Sequence, residues 1–391
     1  MKLVVVGLGQ CGGRIADEFA RMNNRAKSRR SITIVTGCFA VNTDAADLSG
    51  LSCISNDHRH RILIGSRKTG GHGVGKINEV GAEVAREDAD KVIDAIRTTK
   101  KFFDTDAFLL IAGTAGGTGS GAIAVLTQHL KERYIDKPIW NLLVLPFEHE
   151  ESTEERTVYN VATCLKSCYS VADAVFLVDN QRYVRKDSSI QTNLTKINSM
   201  IAEPFYNLLC AGEEKKSKYI GAKLVDAGDI TQTVTGWTVI GYGKTDAPMF
   251  RWPGVKNDFR KKGTEIQKGI QAMDEAISEL SLKCNPADAR RAMYLVSGPA
   301  KEMNMDMVKE IGDYMRDIAP EAIIRNGDYP RERGMVDVTI LLSELSDVAK
   351  VRDYYSRSTD LIPEFKKRQE ETEAKLREID DASKDIPSLL Q

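Results

Sequence analysis

Two short apolar segments of this chain run directly into glycine-rich turns. The segment KLVVV at 2–6 continues into GLGQCGG, and the segment AFLLIA at 107–112 continues through GT into AGGTGSG. Aliphatic and β-branched runs of this length that end in glycine predict strands buried on both faces, each entering a tight turn. Strands of that kind belong to a parallel sheet covered by helices, so they restrict this part of the chain to α/β folds.

The pattern of apolar residues divides the chain into four parts. Over 1–189 strands alternate with helices, which predicts a Rossmann-like domain with a parallel sheet; we expect strands at 2–6, 32–41, 107–112, 140–145 and 174–178, and helices at 14–22, 76–97 and 122–132. One long central helix is expected over 190–211. A second α+β domain is expected over 212–345, with strands at 234–242, 292–296 and 336–342 and helices at 263–280 and 307–318. A charged tail follows over 346–391, and its stretch 364–381 is predicted to be a solvated or partner-dependent helix.

The composition narrows the class of protein. The 391 residues carry a net charge of -1, which offers no long-range attraction to nucleic acid or to anionic lipid. No stretch approaches the roughly 20 apolar residues of a membrane span, so we expect no direct membrane insertion. The seven cysteines are scattered without a CxxC pair, which is typical of reduced thiols in a cytoplasmic protein and predicts no metal site built from protein side chains.

The strongest signal for a ligand is the sequence AGGTGSG at 115–121. It follows a predicted strand and opens a predicted helix, so its glycines allow several backbone N–H groups to face one concavity at a helix N-terminus. Thr118 and Ser120 add hydroxyl donors. The alternative is a glycine-rich turn without a ligand. The strand before it, the helix after it and the two hydroxyls favour a polyphosphate site.

Two further glycine clusters have a similar context. GLGQCGG at 7–13 follows the first strand, and GGHGVG at 70–75 precedes a helix. The first cluster alone would also fit the dinucleotide loop of a nicotinamide or flavin enzyme, and the sequence VNTD at 41–44 does not decide between the two. A dinucleotide enzyme needs no second phosphate loop, however, and the Walker pattern GxxxxGK[ST] does not occur. Three such loops can converge on one triphosphate.

At these loops the chain resembles the tubulin/FtsZ superfamily. AGGTGSG at 115–121 is similar to the tubulin signature GGGTGSG, with Ala115 at the first glycine, and GQCG at 9–12 resembles the first phosphate loop of tubulin. VNTD at 41–44 and GGHGVG at 70–75 resemble the corresponding loops of FtsZ. The resemblance extends over about residues 1–345 and is closest to the archaeal tubulin-like CetZ proteins.

The resemblance also identifies residues beyond the glycine loops. Pro146-Phe147 with Glu150 resembles the FtsZ loop that approaches the ribose, and Asn180 and Asn198 occupy positions at which the family contacts guanine. The resemblance therefore implies that GTP or GDP is bound by Gln10, Cys11, Gly12, Gly13, Arg14, Asn42, Asp44, Gly70, Gly71, Gly116, Gly117, Thr118, Gly119, Ser120, Glu150, Asn180 and Asn198. It implies Mg²⁺ held mainly by phosphates and water, to which Asp44 contributes unless it only caps a turn.

Downstream, the sequence GAKLVDAGD at 221–229 resembles the loop GxxNxDxxD of the family, which enters the nucleotide site of the neighbouring subunit. The resemblance implies that Asp226 and Asp229 are the catalytic acids of a GTPase whose active site is completed between adjacent subunits. Leu224 replaces the usual Asn. Read without the family, the same segment is a surface turn with two solvated aspartates. The resemblance to the family instead leads us to expect a head-to-tail homopolymer, a cytoskeletal filament acting in cell shape or cell division.

Two other functions stay open at this point. One is a Rossmann-type NAD- or FAD-dependent oxidoreductase, and the other is a regulator that binds nucleotide without polymerising, which the change at Leu224 would allow. The final residues 385–390, DIPSLL, resemble the short FtsZ tail peptide that docks on partners, although a frayed terminus would read the same way. Tail-binding or membrane-tethering partners therefore remain possible.

Overall fold

One sheet of ten strands runs through the molecule in the order β3-β2-β1-β4-β5-β6-β7-β10-β8-β9. The computed structural model describes residues 1–184, 190–245, 258–332 and 334–384. The strands are β1 (Leu3–Leu8), β2 (Val35–Asn42), β3 (Arg61–Leu63), β4 (Ala107–Gly113), β5 (Ile139–Leu145), β6 (Ala174–Asp179), β7 (Gly236–Lys244), β8 (Ala289–Pro299), β9 (Ile323–Arg331) and β10 (Asp337–Leu345).

Helices cover both faces of this sheet. They are α1 (Gly9–Arg30), α2 (Ala45–Ser49), α3 (Ser66–Thr69), α4 (Asn78–Glu87), α5 (Ala89–Arg97), α6 (Thr118–Arg133), α7 (Glu148–Thr153), α8 (Glu155–Val171), α9 (Ile190–Ala211), α10 (Ala227–Thr233), α11 (Asp258–Ser278), α12 (Met305–Ile318) and α13 (Ala349–Ser383). Among the described residues, none of these helices is both long enough and apolar enough to cross a membrane.

The first six strands are parallel, and every residue of β1, β5 and β6 is buried. This explains why the sequence shows continuous apolar runs instead of an alternating pattern. Because the pairing is parallel, the carboxyl ends of neighbouring strands meet at one edge: Leu8 of β1 is opposite Val41 of β2 and Ala112 of β4. The glycine turns that follow these strands are therefore brought together by the register of the sheet.

Strand β7 joins the two halves of the molecule. Its first residues, Gly236 to Thr238, pair in parallel with β6, and its later residues, Val239 to Lys244, pair antiparallel with β10. Strand β8 continues the antiparallel half, and β9 closes it as a parallel edge strand. The predicted fold class, a parallel Rossmann-like sheet followed by a long helix and a second α+β domain, is confirmed.

Helix α9 lies between the two halves and packs against α1. Phe205 of α9 contacts Phe19 of α1 with ring centroids 5.4 Å apart, and Arg25 of α1 pairs with Glu203 at 2.9 Å. The far end of α9 is tied to the start of β1, because the amino group of Met1 donates to the carbonyl oxygen of Leu209 at 2.9 Å. Helix α9 therefore runs alongside β1. It extends from the side of the sheet where the parallel strands end to the side where they begin.

A buried carboxylate fastens α9 to the second half. Asp337 of β10 accepts hydrogen bonds from Asn207 Nδ2 at 3.0 Å, from Tyr242 Oη at 3.2 Å and from Arg331 Nη2 at 2.6 Å. Burial raises the pKa of this carboxyl group, and the charge of Arg331 opposes that rise. An isolated buried carboxylate would be strongly unfavourable, so the three donors make this position a specific junction between the halves.

Several elements differ from the sequence prediction. The single helix expected over 76–97 is two helices that meet at Asp88, whose carboxylate accepts from Gly65 N at 2.7 Å. Strand β9 and helix α8 were not predicted. The β9 sequence IIRNGDYPR contains Asn, Gly, Asp and Pro, which are rare in strands and are tolerated here because β9 is at the edge of the sheet.

The charged segment after residue 346 begins as a packed helix. Val351 and Tyr354 of α13 are buried in the core that also contains α8, whereas Ile362 and Leu376 are exposed. The segment 364–381, predicted to be a solvated or partner-dependent helix, belongs to α13: Phe365 contacts Tyr159 of α8 with ring centroids 5.5 Å apart, whereas the side chains from 374 to 378 are all exposed. The tail sequence at 385–390 lies outside the described residues.

Candidate nucleotide-binding site

A cleft of about 580 Å³ opens at the carboxyl-end edge of the parallel strands. This volume is within the range of sites that hold small molecules and cofactors. The cleft is lined by twelve of the residues predicted to bind nucleotide, namely Gln10, Cys11, Arg14, Asn42, Asp44, Gly116, Gly117, Thr118, Gly119, Glu150, Asn180 and Asn198. Ligands of open α/β sheets bind at this edge, outside the carboxyl ends of the strands.

The turn between β1 and α1 forms one side of the cleft. Gly9 has φ +68°, a conformation that favours glycine, and α1 begins at this residue. The first turn of α1 contains no acidic residue, and its free N–H groups and positive partial charge face the cleft. Gln10 Nε2 donates to Asp47 Oδ1 at 2.8 Å, and Arg14 is exposed at the cleft wall.

The 115–121 loop forms the second side and touches the first. A Cβ placed on Gly119 would lie 2.7 Å from Leu8 O, and a Cβ placed on Gly9 would lie 3.0 Å from Gly119 N. Helix α6 starts at Thr118, again with no acidic residue in its first turn. Thr118 Oγ1 is 2.6 Å from Thr43 Oγ1, which ties this helix start to the turn after β2. Two helix N-termini therefore point into one space.

The segment after α3 forms the third side, but through different residues than predicted. Gly73 and Lys76 line the cleft, whereas Gly70 and Gly71 do not. Gly70 ends α3 with φ +60°, and the carbonyl oxygen of Gly71 accepts from Ala45 N at 3.1 Å. Both glycines therefore determine the path of this loop, and residues that follow them line the cleft.

Lys76 was not predicted and stands directly after the 70–75 loop. It has φ +61°, which is unfavourable for a residue with a side chain, and its ammonium group pairs with Glu154. A Cβ placed on Gly117 would lie 2.9 Å from the carbonyl carbon of Lys76 and 2.8 Å from Ile77 N. The third segment is therefore in contact with the second loop and brings a cation to the cleft.

Asn160 of α8 fixes this contact and was also missed. Its amide Nδ2 donates to the carbonyl oxygens of Lys76 at 2.9 Å and of Ala115 at 3.0 Å, and its side chain is fully buried. One amide group thus holds two loops that are 39 positions apart in the chain, counting from residue 76 to residue 115. No local signal marks Asn160, because its role depends on where α8 packs.

Three predicted binding residues have other roles in the structure. A Cβ on Gly12 would lie 2.0 Å from Ile111 O, so this glycine permits α1 to pack on β4. Gly13 is buried in the same helix near Ala40. Ser120 Oγ donates back to Gly116 O and so shapes the 115–121 loop. None of the three is among the residues that line the cleft, and their part in binding nucleotide stays a prediction.

The acidic side chains near the phosphate end are already hydrogen-bonded. Asp44 Oδ1 accepts from Ala46 N at 2.8 Å and Asp47 N at 3.1 Å, which is the turn cap that we considered as its alternative role. Asp47 Oδ2 accepts from Asn42 Nδ2 at 3.0 Å. Within the described residues there is no group of three or more His, Cys, Asp or Glu that could hold a metal ion.

The opposite end of the cleft is lined by asparagines and apolar side chains. Asn180 follows β6, and its Oδ1 atom is buried with no hydrogen-bond partner in the protein. A buried amide oxygen without a partner is unfavourable. Asn198, Leu194 and Ile197 reach the same end from α9.

Glu150 and Cys11 lie close together at the wall of the cleft. Glu150 Oε2 accepts from Phe147 N at 2.9 Å and closes the first turn of α7. Burial raises the pKa of the Cys11 thiol to about 12, with a further contribution from the charge of Glu150. Cys11 is therefore a neutral packing group at physiological pH rather than a nucleophile.

The two predicted catalytic acids lie far from this cleft. Asp226 caps α10 by accepting from Asp229 N at 2.8 Å, and Asp229 pairs with Arg325 at 3.4 Å. Gly212 directly follows α9, and a Cβ on it would lie 3.3 Å from the Cα atom of Asp226. Because α9 enters the cleft at Asn198 and rises about 1.5 Å per residue, the acids lie roughly 20 Å away, at its other end.

The fold and the cleft define a nucleotide-binding protein of the tubulin/FtsZ type. The profile of the Tubulin/FtsZ family, GTPase domain, matches residues 2–186, and that of the tubulin-like CetZ C-terminal domain matches residues 187–360. The tubulin-like protein CetZ1 of Haloferax volcanii is 31% identical over 370 residues, which are 90% of each chain. This chain belongs to the tubulin-like CetZ family, as its sequence motifs predicted.

Solved structures agree with this assignment. The GDP-bound monomer of CetZ1 from Haloferax volcanii superposes with a TM-score of 0.77 at 28% identity, covering 92% of this chain and 99% of that one. The GTPγS-bound protofilament of CetZ2 from the same organism gives a TM-score of 0.81 at 27% identity, covering 94% and 100%.

The contact between the first two loops leads to a prediction for Gly119. Gly119→Val should weaken nucleotide binding by roughly 100-fold, because its side chain would force Leu8 and the start of α1 away from α6 and open the cradle. Titration with a fluorescent guanine nucleotide measures this effect. Gly50→Ala is a suitable control, since a Cβ there would be 3.6 Å or more from its neighbours and outside the cleft. An unchanged affinity for Gly119→Val would contradict the assignment.

Proposed function

We propose that this chain binds GTP, hydrolyses it at the contact between two copies of itself, and assembles head-to-tail into filaments. The observation that carries the proposal is the convergence of three loops, with Gly9, Gly117 and Gly119 so close to one another or to Lys76 that no side chain fits between them. Two helix N-termini and one cation surround the same space. This is an environment for a polyphosphate.

The arrangement of the cleft suggests how the nucleotide lies. The phosphates would occupy the end formed by the two helix starts, and the base would occupy the end formed by Asn180 and Asn198. An asparagine side chain can both donate and accept, so it can accept from the N1–H and 2-amino groups of guanine or donate to its O6. GDP and GTPγS are bound by the similar proteins CetZ1 and CetZ2.

A bound Mg²⁺ ion would neutralise phosphate charge and polarise the terminal phosphate. Asp44 and Asp47 use carboxylate oxygens to hold backbone and side-chain donors, so they offer few free ligands. Mg²⁺ commonly keeps several waters and binds through one or two carboxylates together with phosphates. We infer that phosphates and water hold most of the coordination shell here, with Asp44 as the nearest protein oxygen donor.

Hydrolysis requires an oriented water molecule, and the described wall of the cleft offers no pair of unengaged acids for this task. Asp226 and Asp229 stand at the other end of α9, where they can serve only the cleft of a neighbouring copy. A contact that joins unlike surfaces and repeats with little rotation produces an open filament. CetZ2 of Haloferax volcanii forms a protofilament with GTPγS. GTP would then strengthen the contact, and hydrolysis would weaken it.

The 221–229 loop is anchored to strand β9 by hydrogen bonds. Asp328 of β9 accepts from Lys223 N at 2.6 Å and from Ala222 N at 3.0 Å, and Asp328 N donates to Lys223 O at 3.0 Å. Leu224, which replaces the family asparagine, is 45% exposed and faces outward. An apolar residue at this point fits a surface that becomes covered by a neighbouring copy. The role in cell shape or cell division, and a cytoplasmic location, remain expectations from the family.

Lys76 offers a test of the phosphate end. Lys76→Met should lower the affinity for GTP by roughly tenfold, because one charge-assisted contact to phosphate is lost. Lys68→Met is the matched control, since Lys68 is an exposed lysine that pairs with Glu83 and Glu87 and does not line the cleft. Isothermal titration with GTP compares the two variants. Equal affinities in both would exclude Lys76 from the phosphate site.

Asp226 can be tested without disturbing the start of α10, whereas Asp229→Ala also removes one half of the capping box and the pair with Arg325. Asn is as good an N-cap as Asp, so Asp226→Asn keeps the start of α10 while it removes the carboxylate. We expect Asp226→Asn and Asp229→Ala to bind GTP with unchanged affinity and to lose turnover by 100-fold or more, a loss of the order given by a missing general base, roughly 10²–10⁴-fold. Phosphate release measures turnover. Normal hydrolysis by either variant would end this assignment.

Assembly itself is tested by sedimentation of the purified protein with GTP, GDP and ATP in parallel. We expect a pellet with GTP and Mg²⁺, little with GDP, and none with ATP because adenine lacks the guanine O6 and N1–H edge. Light scattering follows the same samples in time. A protein that binds GTP but never scatters light would favour the non-polymerising regulator instead.

A further inference from the structure

Two ion pairs tie helix α13 to residues that are next in sequence to residues of the cleft. Lys350 Nζ lies 2.7 Å from Asp179 Oδ2, and Arg357 Nη1 lies 2.8 Å from Glu151 Oε2. Tyr354, between them on the helix, donates its hydroxyl to the same Glu151. The two pairs are seven residues apart on one helix, so they lie on the same face, two turns from each other.

Both carboxylates are almost removed from solvent. The side chain of Asp179 is 11% exposed and that of Glu151 is 10% exposed, while Tyr354 is fully buried. A buried carboxylate requires a partner, and an unpaired one is strongly unfavourable. The bond to Glu151 is also the largest cause of the raised pKa of Arg357. These contacts are therefore fixed parts of the structure rather than loose surface pairs, which contribute little.

Each carboxylate is next in sequence to a residue that lines the cleft. Asp179 precedes Asn180 at the base end, and Glu151 follows Glu150 at the wall. Asp179 Oδ1 also accepts from Gln181 N at 3.0 Å, so it caps the 3-10 turn Asn180–Tyr183. Lys350 thus holds the carboxylate that shapes the turn carrying Asn180.

These two turns are short and need outside support. The turn that holds Asn180 has four residues, and helix α7, which holds Glu150, has six. Segments of this length are not stable by themselves, because helix formation needs a costly nucleus. Their position is therefore set by tertiary contacts, and α13 provides a buried charged contact to each of them.

We propose that α13 is a brace for the base-side half of the cleft, with Lys350 and Arg357 as positioning residues for the nucleotide. The proposal rests on the proposed function, since it assumes that the cleft holds a guanine nucleotide. Lys350 acts on Asn180 and hence on recognition of the base. Arg357 acts on Glu150 and hence on the wall beside the sugar. Neither side chain touches the nucleotide itself.

The test compares Lys350→Met and Arg357→Met with Arg352→Met. Arg352 lies on the same helix, is 70% exposed and pairs only with Asp347 among the ion pairs described. Dissociation constants are measured for GDP and for inosine diphosphate, which lacks the 2-amino group of guanine. We expect Lys350→Met to weaken GDP binding by roughly three- to tenfold and to reduce the preference for GDP over inosine diphosphate. Arg357→Met should weaken both ligands equally, and Arg352→Met neither.

Conservative variants separate positioning from general loss of structure. Lys350→Arg and Arg357→Lys keep the charge and should retain most of the affinity and all of the base preference. If Lys350→Met does not fold, Lys350→Gln keeps a donor to Asp179 without the charge and should show the same change in preference. A thermal unfolding curve of each variant records stability alongside binding.

Two outcomes would overturn the proposal in distinguishable ways. Folded Lys350 and Arg357 variants with wild-type affinity for GDP would contradict the proposal that α13 is a brace and would leave the proposed function intact. Variants that lose stability while the preference for GDP over inosine diphosphate stays unchanged would reduce Lys350 to a purely structural role. A wild-type protein that binds no guanine nucleotide would remove the brace and the proposed function together.

Discussion

The close contact of three backbone loops is the constraint on which the rest of the site depends. Gly9 and Gly119 approach within the space of a single Cβ atom, and Gly117 lies equally close to Lys76. Such contacts require glycine at each point, and they bring the N–H groups of two helix starts to one place. The parallel register of β1 and β4 makes the approach possible, because it ends both strands at the same edge.

Helix α9 connects the cleft at one end of the molecule to the loop that carries Asp226 at the other end. Its residues Leu194, Ile197 and Asn198 line the cleft, and its last turn lies beside the loop that carries Asp226. Its position is fixed by Glu203 and Phe205 on one side and by Asn207 on the other. The cleft and the two acids are thereby held roughly 20 Å apart within one molecule, which is why we propose that a neighbouring copy completes the site.

The sequence was sufficient for the parts of the site that are local. The 7–13 and 115–121 loops each carry strand, glycines and helix in one short stretch, and both line the cleft as predicted. Asn160 and Lys76 were missed because their roles depend on the packing of α8 and on a strained backbone. Glycines are ambiguous in the same way: Gly12 allows helix α1 to approach β4, and its neighbours in sequence cannot reveal this.

The two ends of the cleft are supported by different parts of the chain. The phosphate end is built entirely from residues before 161, since its loops, its helix starts and the amide of Asn160 all come from the first half. The base end depends on α9 and, through Asp179 and Glu151, on α13. In the proposed mode of binding, the phosphates would contact the first domain, and the base would contact Asn180 together with Asn198 of α9, whose position depends on how the two halves pack. A change in how the two halves pack would therefore first move the end of the cleft that contains Asn180 and Asn198. In the proposed filament, α9 and α13 would connect the bound nucleotide physically to the filament-forming surfaces.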